Sequence, residues 1–347
     1  MYFTHPQFKK FPLKLFFRKF SEADFKNKLA GFFSNHNFIF TDSGRSAFQL
    51  AIQEFDLENS EMILPAYICD IFKPILKHFD IKPVYLDTNI ETFHADFSNI
   101  ESLITPNTKS ILICHTYGLP VEMDEIVRIA RNHNLKIIED CAHIWPSKII
   151  GDCAFFSFMK LFPVISGGIL ISKEPINTNL EKYQFNLFNI IRFLRLFPSL
   201  AGLSEKFRPE QGLTERKWAA PQKISKISSK IVNYCLGDFE KGIQKRIKLA
   251  EYFQNKLVDL KFRVQIGQNN TFNYISALVP PDTNRDDLFK KLRKNHIFCS
   301  RMWQNPLFKQ LPNTSIVASR IINFPLQNWF TEKDIDEIIF CILSNIG

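Results

Sequence analysis

Between about residue 36 and residue 172, short apolar runs alternate with stretches of helical period. "NFIF" (37–40) is followed by a helix from about Gly44, "EMILP" (61–65) by "IFKPILKHF", and "KPVYL" (82–86) by the short helical "FSNIESLI". "KSILICH" (109–115) precedes the helix "MDEIVRIARNHN", and "LKIIED" (135–140), "AFFSF" (154–158) and "GGILIS" (167–172) close the series. The runs are apolar almost throughout, with no inside-outside alternation, as strands buried on both faces read. Strand-helix alternation of this kind predicts an α/β domain, a mostly parallel sheet sandwiched by helices.

After about residue 175 the pattern changes. "NLFNIIRFLRLFPSLAGL" (186–203) is an apolar amphipathic segment that Pro198 should interrupt. A long helix follows, with Leu236, Phe239, Ile243, Ile247, Ala250, Phe253 and Leu257 on one stripe. "FNYISALVP", "RDDLFKKLRKN", "RIINFP" and "EKDIDEIIFCIL" then read as strand, helix, strand and helix. The division expected is an irregular amino-terminal arm over 1–35, a large α/β domain over 36–235, and a smaller carboxyl-terminal α+β domain over 236–347.

A chain of 347 residues is long enough for this arrangement, and 23% charged with 45% hydrophobic residues is ordinary for a globular protein. The excess of 44 Lys+Arg over 35 Asp+Glu gives +9, scattered along the chain. No helix-turn-helix, finger or RNP pattern accompanies it, so nucleic acid is not the expected partner; an anionic substrate or a membrane surface suits the charge better. Cysteines at 69, 114, 141, 153, 235, 299 and 341 form no C-x-x-C and sit mostly in apolar runs. They read as buried thiols in a reducing cytoplasm, with no metal site expected. The start "MYFTHPQFKKF" lacks the layout of a signal peptide, and no uncharged apolar run reaches the length of a membrane span.

Ligands of an open α/β sheet collect at the carboxyl ends of its strands. At one such end, "TDSGRSAF" puts Ser43, Gly44, Arg45 and Ser46 at a strand-to-helix turn, either a plain cap or a phosphate cup of backbone amides and hydroxyls. Asp140 ends another strand, with His143 three residues on; a carboxylate there could cap, ligate a metal or pair with a protonated ring nitrogen. His115 and Tyr117 follow a third strand, where a histidine can be structural or catalytic. In "FFSFMKLFPVISGG" (155–168) the lone amine of Lys160 sits among apolar residues, either snorkelling to water or partly buried for use. Phosphate donors, a carboxylate, a histidine and a lysine are together the set that pyridoxal phosphate chemistry requires.

The segments "SGRSAF", "ILPAYICD", "KPVYLD", "HTYGLPVEMDEI", "IIEDCAH", "GDCAFFSF" and "GGILIS" occur in one order, and "LPNTSIVASRIINFPLQNWFTEKDIDEII" follows in the carboxyl-terminal part. In this order they resemble the DegT/DnrJ/EryC1/StrS family of pyridoxal-phosphate-dependent nucleotide-sugar aminotransferases, from about 38 to 172 and again from about 297 to 340. The resemblance implies the fold type I architecture, with the large domain holding pyridoxal 5'-phosphate. It makes Lys160 the Schiff-base lysine and Asp140 the partner of the pyridine nitrogen. His143 falls near the coenzyme's phenolic oxygen, and Ser157 and the Gly44–Ser46 turn fall at its phosphate.

Two residues are missing between "SF" and the lysine relative to the family, whereas the spacing from Lys160 to Gly167-Gly168 is kept. Cys69 stands where the family stacks an aromatic on the pyridine ring, and Tyr67 is either the substitute or a core residue. The family's Asn-Tyr-Arg segment, with which a neighbouring subunit completes the site, is not evident; "KFRPEQGLTERKWAAPQ" (206–222) occupies that region. The implied reaction moves an amino group from glutamate or glutamine to a keto-sugar nucleotide, for surface polysaccharide or modified-sugar synthesis, in a cytoplasmic homodimer. The competing readings are another pyridoxal reaction on a nucleotide sugar, such as dehydration, in which His typically replaces the lysine; a non-catalytic binding or scaffold homologue; and a membrane-surface protein using the apolar 186–203 segment.

Overall fold

The computed structural model describes residues 1–10, 12, 14–17, 19–197, 199–201 and 218–346. The chain opens with the short strand β1 (Tyr2–Phe3) and continues into a regular helix, Glu22–Phe32, where the sequence reading expects irregular chain. Ser21 caps this helix by accepting from the Asp24 amide, and Glu22 and Asp24 sit in its positive first turn. Phe25 and Leu29, four apart on one face, bury against the large domain.

The central sheet has seven strands: β2 (Asn37–Thr41), β3 (Glu61–Pro65), β4 (Lys82–Leu86), β5 (Thr108–Cys114), β6 (Lys136–Asp140), β7 (Cys153–Ser157) and β8 (Gly168–Ser172). Their order is β2-β8-β7-β6-β5-β3-β4, parallel from β4 through β7, with β8 antiparallel to both neighbours. This is the mostly parallel sheet that the apolar runs predict. The antiparallel strand has a consequence for function: its first residue, Gly168, pairs with Thr41 at the end of β2 and Ser157 at the end of β7. Apolar side chains cover both faces of the sheet, Trp145, Phe156, Ile169 and Ile171 on one, Phe48, Leu64, Ile138 and Leu170 on the other.

The smaller part contains β9 (Arg263–Val264), β10 (Tyr274–Leu278), β11 (Ile297–Phe298) and β12 (Ile321–Pro325). β9, β10 and β12 form an antiparallel sheet, while β11 pairs in parallel with β1. The amino-terminal arm is thereby tied at one end to β11 of the smaller part and, through Phe8, Phe25 and Leu29, to the core of the large sheet. The helix Phe239–Asp259 is a similar link. Its Phe239 and Ile243 lie in the large core, whereas Leu249, Ala250, Phe253 and Leu257 lie in the small one.

A third seam fixes the two parts near the site. Asp87 accepts from the Asn313 and Thr314 amides and from the Thr314 hydroxyl, capping the helix Pro312–Arg320 from across the interface. The helix Leu187–Arg195 ends before Pro198, whose own placement lies outside the described residues. Among the described residues no helix is long and apolar enough to cross a membrane.

Candidate active site

The turn that follows β2 is built for close approach. Ser43 caps the helix Gly44–Glu54, its Oγ accepting from the Ser46 amide at 3.3 Å, and the Ser46 hydroxyl donates to Asp42 Oδ1 at 2.6 Å. β8 begins directly beneath this turn. A Cβ on Gly168 would collide with the Ser43 carbonyl carbon and the Gly44 amide nitrogen. Gly167 is in the left-handed region (φ +124°), and its amide donates to the Asp42 carbonyl at 2.6 Å. The Gly-Gly pair is thus the floor on which the turn lies. Gly44 faces β7 as closely, its missing Cβ 3.2 Å from the Phe156 carbonyl oxygen and 3.3 Å from Ser157 Cβ. Ser157 ends β7 beside the turn, and its side chain caps nothing. Ser43, Gly44, Ser46 and Ser157 therefore share one corner. The Arg45 side chain lines a separate crevice with Gln49, Ile71 and Trp218.

Lys160 stands one turn beyond Ser157, on the short helix Phe158–Leu161, and is half-buried. The spacing two residues shorter than the family's does not remove it from the strand ends, because its positive charge acts on Asp140, Cys114 and His143. Asp140 is buried at the end of β6. Its Oδ1 accepts from the Ala142 amide at 2.9 Å, and the Cys114 thiol lies 3.8 Å from Oδ2. Burial raises this carboxyl above its ordinary value, and the Lys160 ammonium only partly opposes it. His143 is also buried, which holds its ring neutral well below the usual histidine range; Lys160 pushes in the same direction. Neither His143 nitrogen has a hydrogen-bond partner, and nor does the Tyr274 hydroxyl, whose ring meets His143 edge-on at 5.6 Å.

His115 lies elsewhere in the hydrogen-bond order. The Val121 amide donates to its Nδ1 at 3.0 Å, so the proton is on Nε2, which donates to Glu139 Oε2 at 2.9 Å. The other Glu139 oxygen accepts from the Ile150 and Gly151 amides. Both His115 nitrogens are engaged, which removes it from the coenzyme contacts expected of it. His115, Glu139 and Cys141 bring donor atoms within 4.8 Å of one another, but the ring and the carboxylate already have protein partners.

Of the two readings of Tyr67, the structure shows the core one. It is a core residue, 1% exposed, its hydroxyl bonded to the Tyr117 hydroxyl at 2.6 Å and the Met302 carbonyl at 3.1 Å. An aromatic from the small part of the chain packs on His143. Trp303, left-handed at φ +57°, stacks on His143 (centroids 5.2 Å apart, planes at 13°) and on Tyr117 (5.0 Å, 19°). Trp303 and Tyr274 carry no local sequence signal for this role, since each sits in a segment that reads as core or loop. Of 206–222, residues 206–217 lie outside the described residues, and Trp218 beyond them stacks on His78.

The sheet order, the glycine-floored cup and the lysine set against a buried carboxyl define a fold type I pyridoxal-phosphate enzyme. Its nearest chemical description comes from the family level: the chain belongs to the DegT/DnrJ/EryC1/StrS aminotransferase family, whose model matches residues 19–343. It is 26% identical over 271 residues to dTDP-4-amino-4,6-dideoxy-D-glucose transaminase of Escherichia coli, covering 73% of this chain and 67% of that one. It is 34% identical over 164 residues to GDP-perosamine synthase of Escherichia coli O157:H7, 43% of this chain and 44% of the relative, so that match spans less than half of either. In fold it resembles E. coli GDP-4-keto-6-deoxy-D-mannose-3-dehydratase with bound hydrated PLP, with TM-score 0.75 and 16% identity over 99% of this chain and 100% of that one. An aminotransferase of the family from Brucella abortus gives TM-score 0.71 and 18% identity over 94% and 90%.

Proposed function

We propose that this protein transfers an amino group from glutamate or glutamine to the keto group of a nucleotide-linked sugar, using pyridoxal 5'-phosphate. The observation that carries the reading is the open chemistry at the strand ends: buried Asp140, its carboxyl raised by burial and opposed by Lys160, with both His143 nitrogens unpartnered. Buried polar groups without partners are rare and costly, so a polar ligand that engages them is the economical explanation. The residues present fit the coenzyme. Asp140 would hold its ring nitrogen, His143 and Tyr274 its polar edge, and Ser43, Gly44, Ser46 and Ser157 its phosphate. When bound, it supplies the electron sink for breaking the donor's Cα–H bond.

The chain's own groups do the rest. Lys160 holds the coenzyme and, released, takes the proton from the donor Cα and returns one to the sugar carbon. Asp140, its carboxyl raised by burial, would pair as a carboxylate with a ring N–H of the coenzyme and so hold that proton in place. His143 stays neutral and can donate or accept. Trp303 and Tyr117 exclude water from the His143 side. The presence of Lys160, where a dehydratase of this type has histidine, favours amino transfer over dehydration.

We also assign a homodimer, supported by the exposed Phe185, Leu187 and Ile190; sedimentation of the purified protein as a monomer at all concentrations would refute it. The activity test is visible absorbance. Wild type should carry a coenzyme band that Lys160→Ala lacks, and glutamate should bleach that band in a half-reaction reversed by keto-sugar nucleotides. A colourless wild type that takes up no added coenzyme would leave a binding homologue in its place.

A further inference from the structure

A cavity of about 170 Å³ opens against Lys160, walled by Met159, Tyr274, Ser300 and Met302, by the amino-terminal segment 4–6, and by Arg192 and Arg195 of the helix Leu187–Arg195. No acidic residue lines it. Two arginines, a lysine and a histidine on the walls of one small space make it a site for an anion. Arg192 is the available member. Among the described residues its one hydrogen bond is long, Nη1 donating to the Ile165 carbonyl at 3.4 Å, and no carboxylate pairs with it. A half-buried guanidinium satisfied by a single stretched contact is poised for a bidentate anionic partner.

The size of the space selects among anions. It is smaller than the roughly 300 Å³ at which pockets for drug-sized ligands begin, which suits a small anion better than a whole nucleotide sugar. A dicarboxylic amino acid has the chemistry for it, an amine end for Lys160 and a carboxylate for Arg192. The phosphate corner is accounted for separately, at the turn 43–46 and Ser157. We infer that Arg192 is the carboxylate-recognising residue for the amino donor, supplied by the same chain that supplies Lys160. This rests on the aminotransferase reading and adds a donor subsite to it.

The subsite is testable without turnover. Glutarate has both carboxylates of glutamate and no amino group, so it binds without reacting. Calorimetric titration of the coenzyme-loaded protein should show saturable glutarate binding, weakened roughly ten- to a hundredfold in Arg192→Gln. Arg192→Lys should restore part of it, since charge without the planar fork recovers only part of the interaction. The coenzyme band and the affinity for dTDP should be unchanged in both variants. Equal glutarate affinity in wild type and Arg192→Gln overturns the inference. So does a loss that falls on dTDP instead, which would make Arg192 a diphosphate contact. If the protein takes up no coenzyme, the aminotransferase reading fails by itself, and glutarate titration of the apoprotein still decides whether the anion subsite exists.

Discussion

Two buried histidines stand at the ends of adjacent strands and have opposite fates. His115, after β5, is closed: Val121 donates to one nitrogen, Glu139 accepts from the other, and two further amides complete Glu139. His143, after β6, is open, with two unpartnered nitrogens beside a carboxyl that burial has raised. Each histidine follows an acid on the strand β6 or faces one there, and Glu139 and Asp140 are consecutive. Because side chains alternate along a strand, Glu139 and Asp140 point to opposite faces of the sheet. One face received a finished hydrogen-bond set, the other an unfinished one. Burial alone does not separate the two histidines; what separates them is the hydrogen-bonding capacity that His143 keeps unmet.

The comparison predicts that the two acids fail differently. Asp140→Asn should lower transamination by roughly 10²–10³-fold, the scale of losing one preorganised electrostatic partner, while the melting temperature of the apoprotein stays level or rises. A rise is expected because the amide removes a carboxyl that burial disfavours. Glu139→Leu should do the reverse. It strands the His115 Nε2–H and the Ile150 and Gly151 amides, costing about 3–5 kcal/mol in apoprotein melts, with coenzyme affinity of the folded fraction kept. If both variants lost coenzyme equally, the contrast between the faces would collapse.

Gly168→Ala tests the floor of the cup. The added methyl meets backbone at Ser43 and Gly44, which cannot yield as a flexible side chain would. A loss of about 1–3 kcal/mol is expected, with weaker binding of pyridoxal phosphate and of inorganic phosphate in titrations.

Acid should sharpen the contrast further. His94 is pushed down to about 3 by burial, aided by nearby His115, and His143 is lowered by burial and by Lys160. Below the ordinary value of 6.5 the unfolded chain takes up protons that these two rings refuse in the fold. Stability is therefore complete above that value and falls as pH drops, by about 1.4 kcal/mol per pH unit for each ring. Denaturant melts of the apoprotein between pH 6 and 4 measure this, and His94→Gln should remove one ring's share of the slope. The smallest effect belongs to Tyr67→Phe, which removes bonds to Tyr117 and Met302 but no site contact: about 1 kcal/mol in melts, with the coenzyme band unchanged.

Much of this was legible in the residues. Near-continuous apolar runs fix a sheet covered on both faces, and Lys160, Asp140 and His143 stand out because each follows such a run. The arginines of "LFNIIRFLRLF" were visible too, but their setting in an apolar helix reads as easily as a membrane-facing surface; the fold turns Arg192 and Arg195 to the cavity beside Lys160. His115 could not be told from His143, since each follows a strand in an apolar setting and only the partners differ. Tyr67 looked like an aromatic free to stack because its hydroxyl's partners lie 50 and 235 positions away.

The sequence by itself determined the elements, their alternation and the chemistry available at the strand ends, because periodicity and residue type are local properties. The Gly167-Gly168 pair, the lysine and the acid all belong to that local record. Only the tertiary structure decided which of these groups meet. An antiparallel β8 carries Gly168 under Ser43, a cap made by Asp87 seats the small part, and Trp303 from that part covers His143. Such meetings depend on strand order and on contacts between residues far apart in the chain, and neither is written in any single segment.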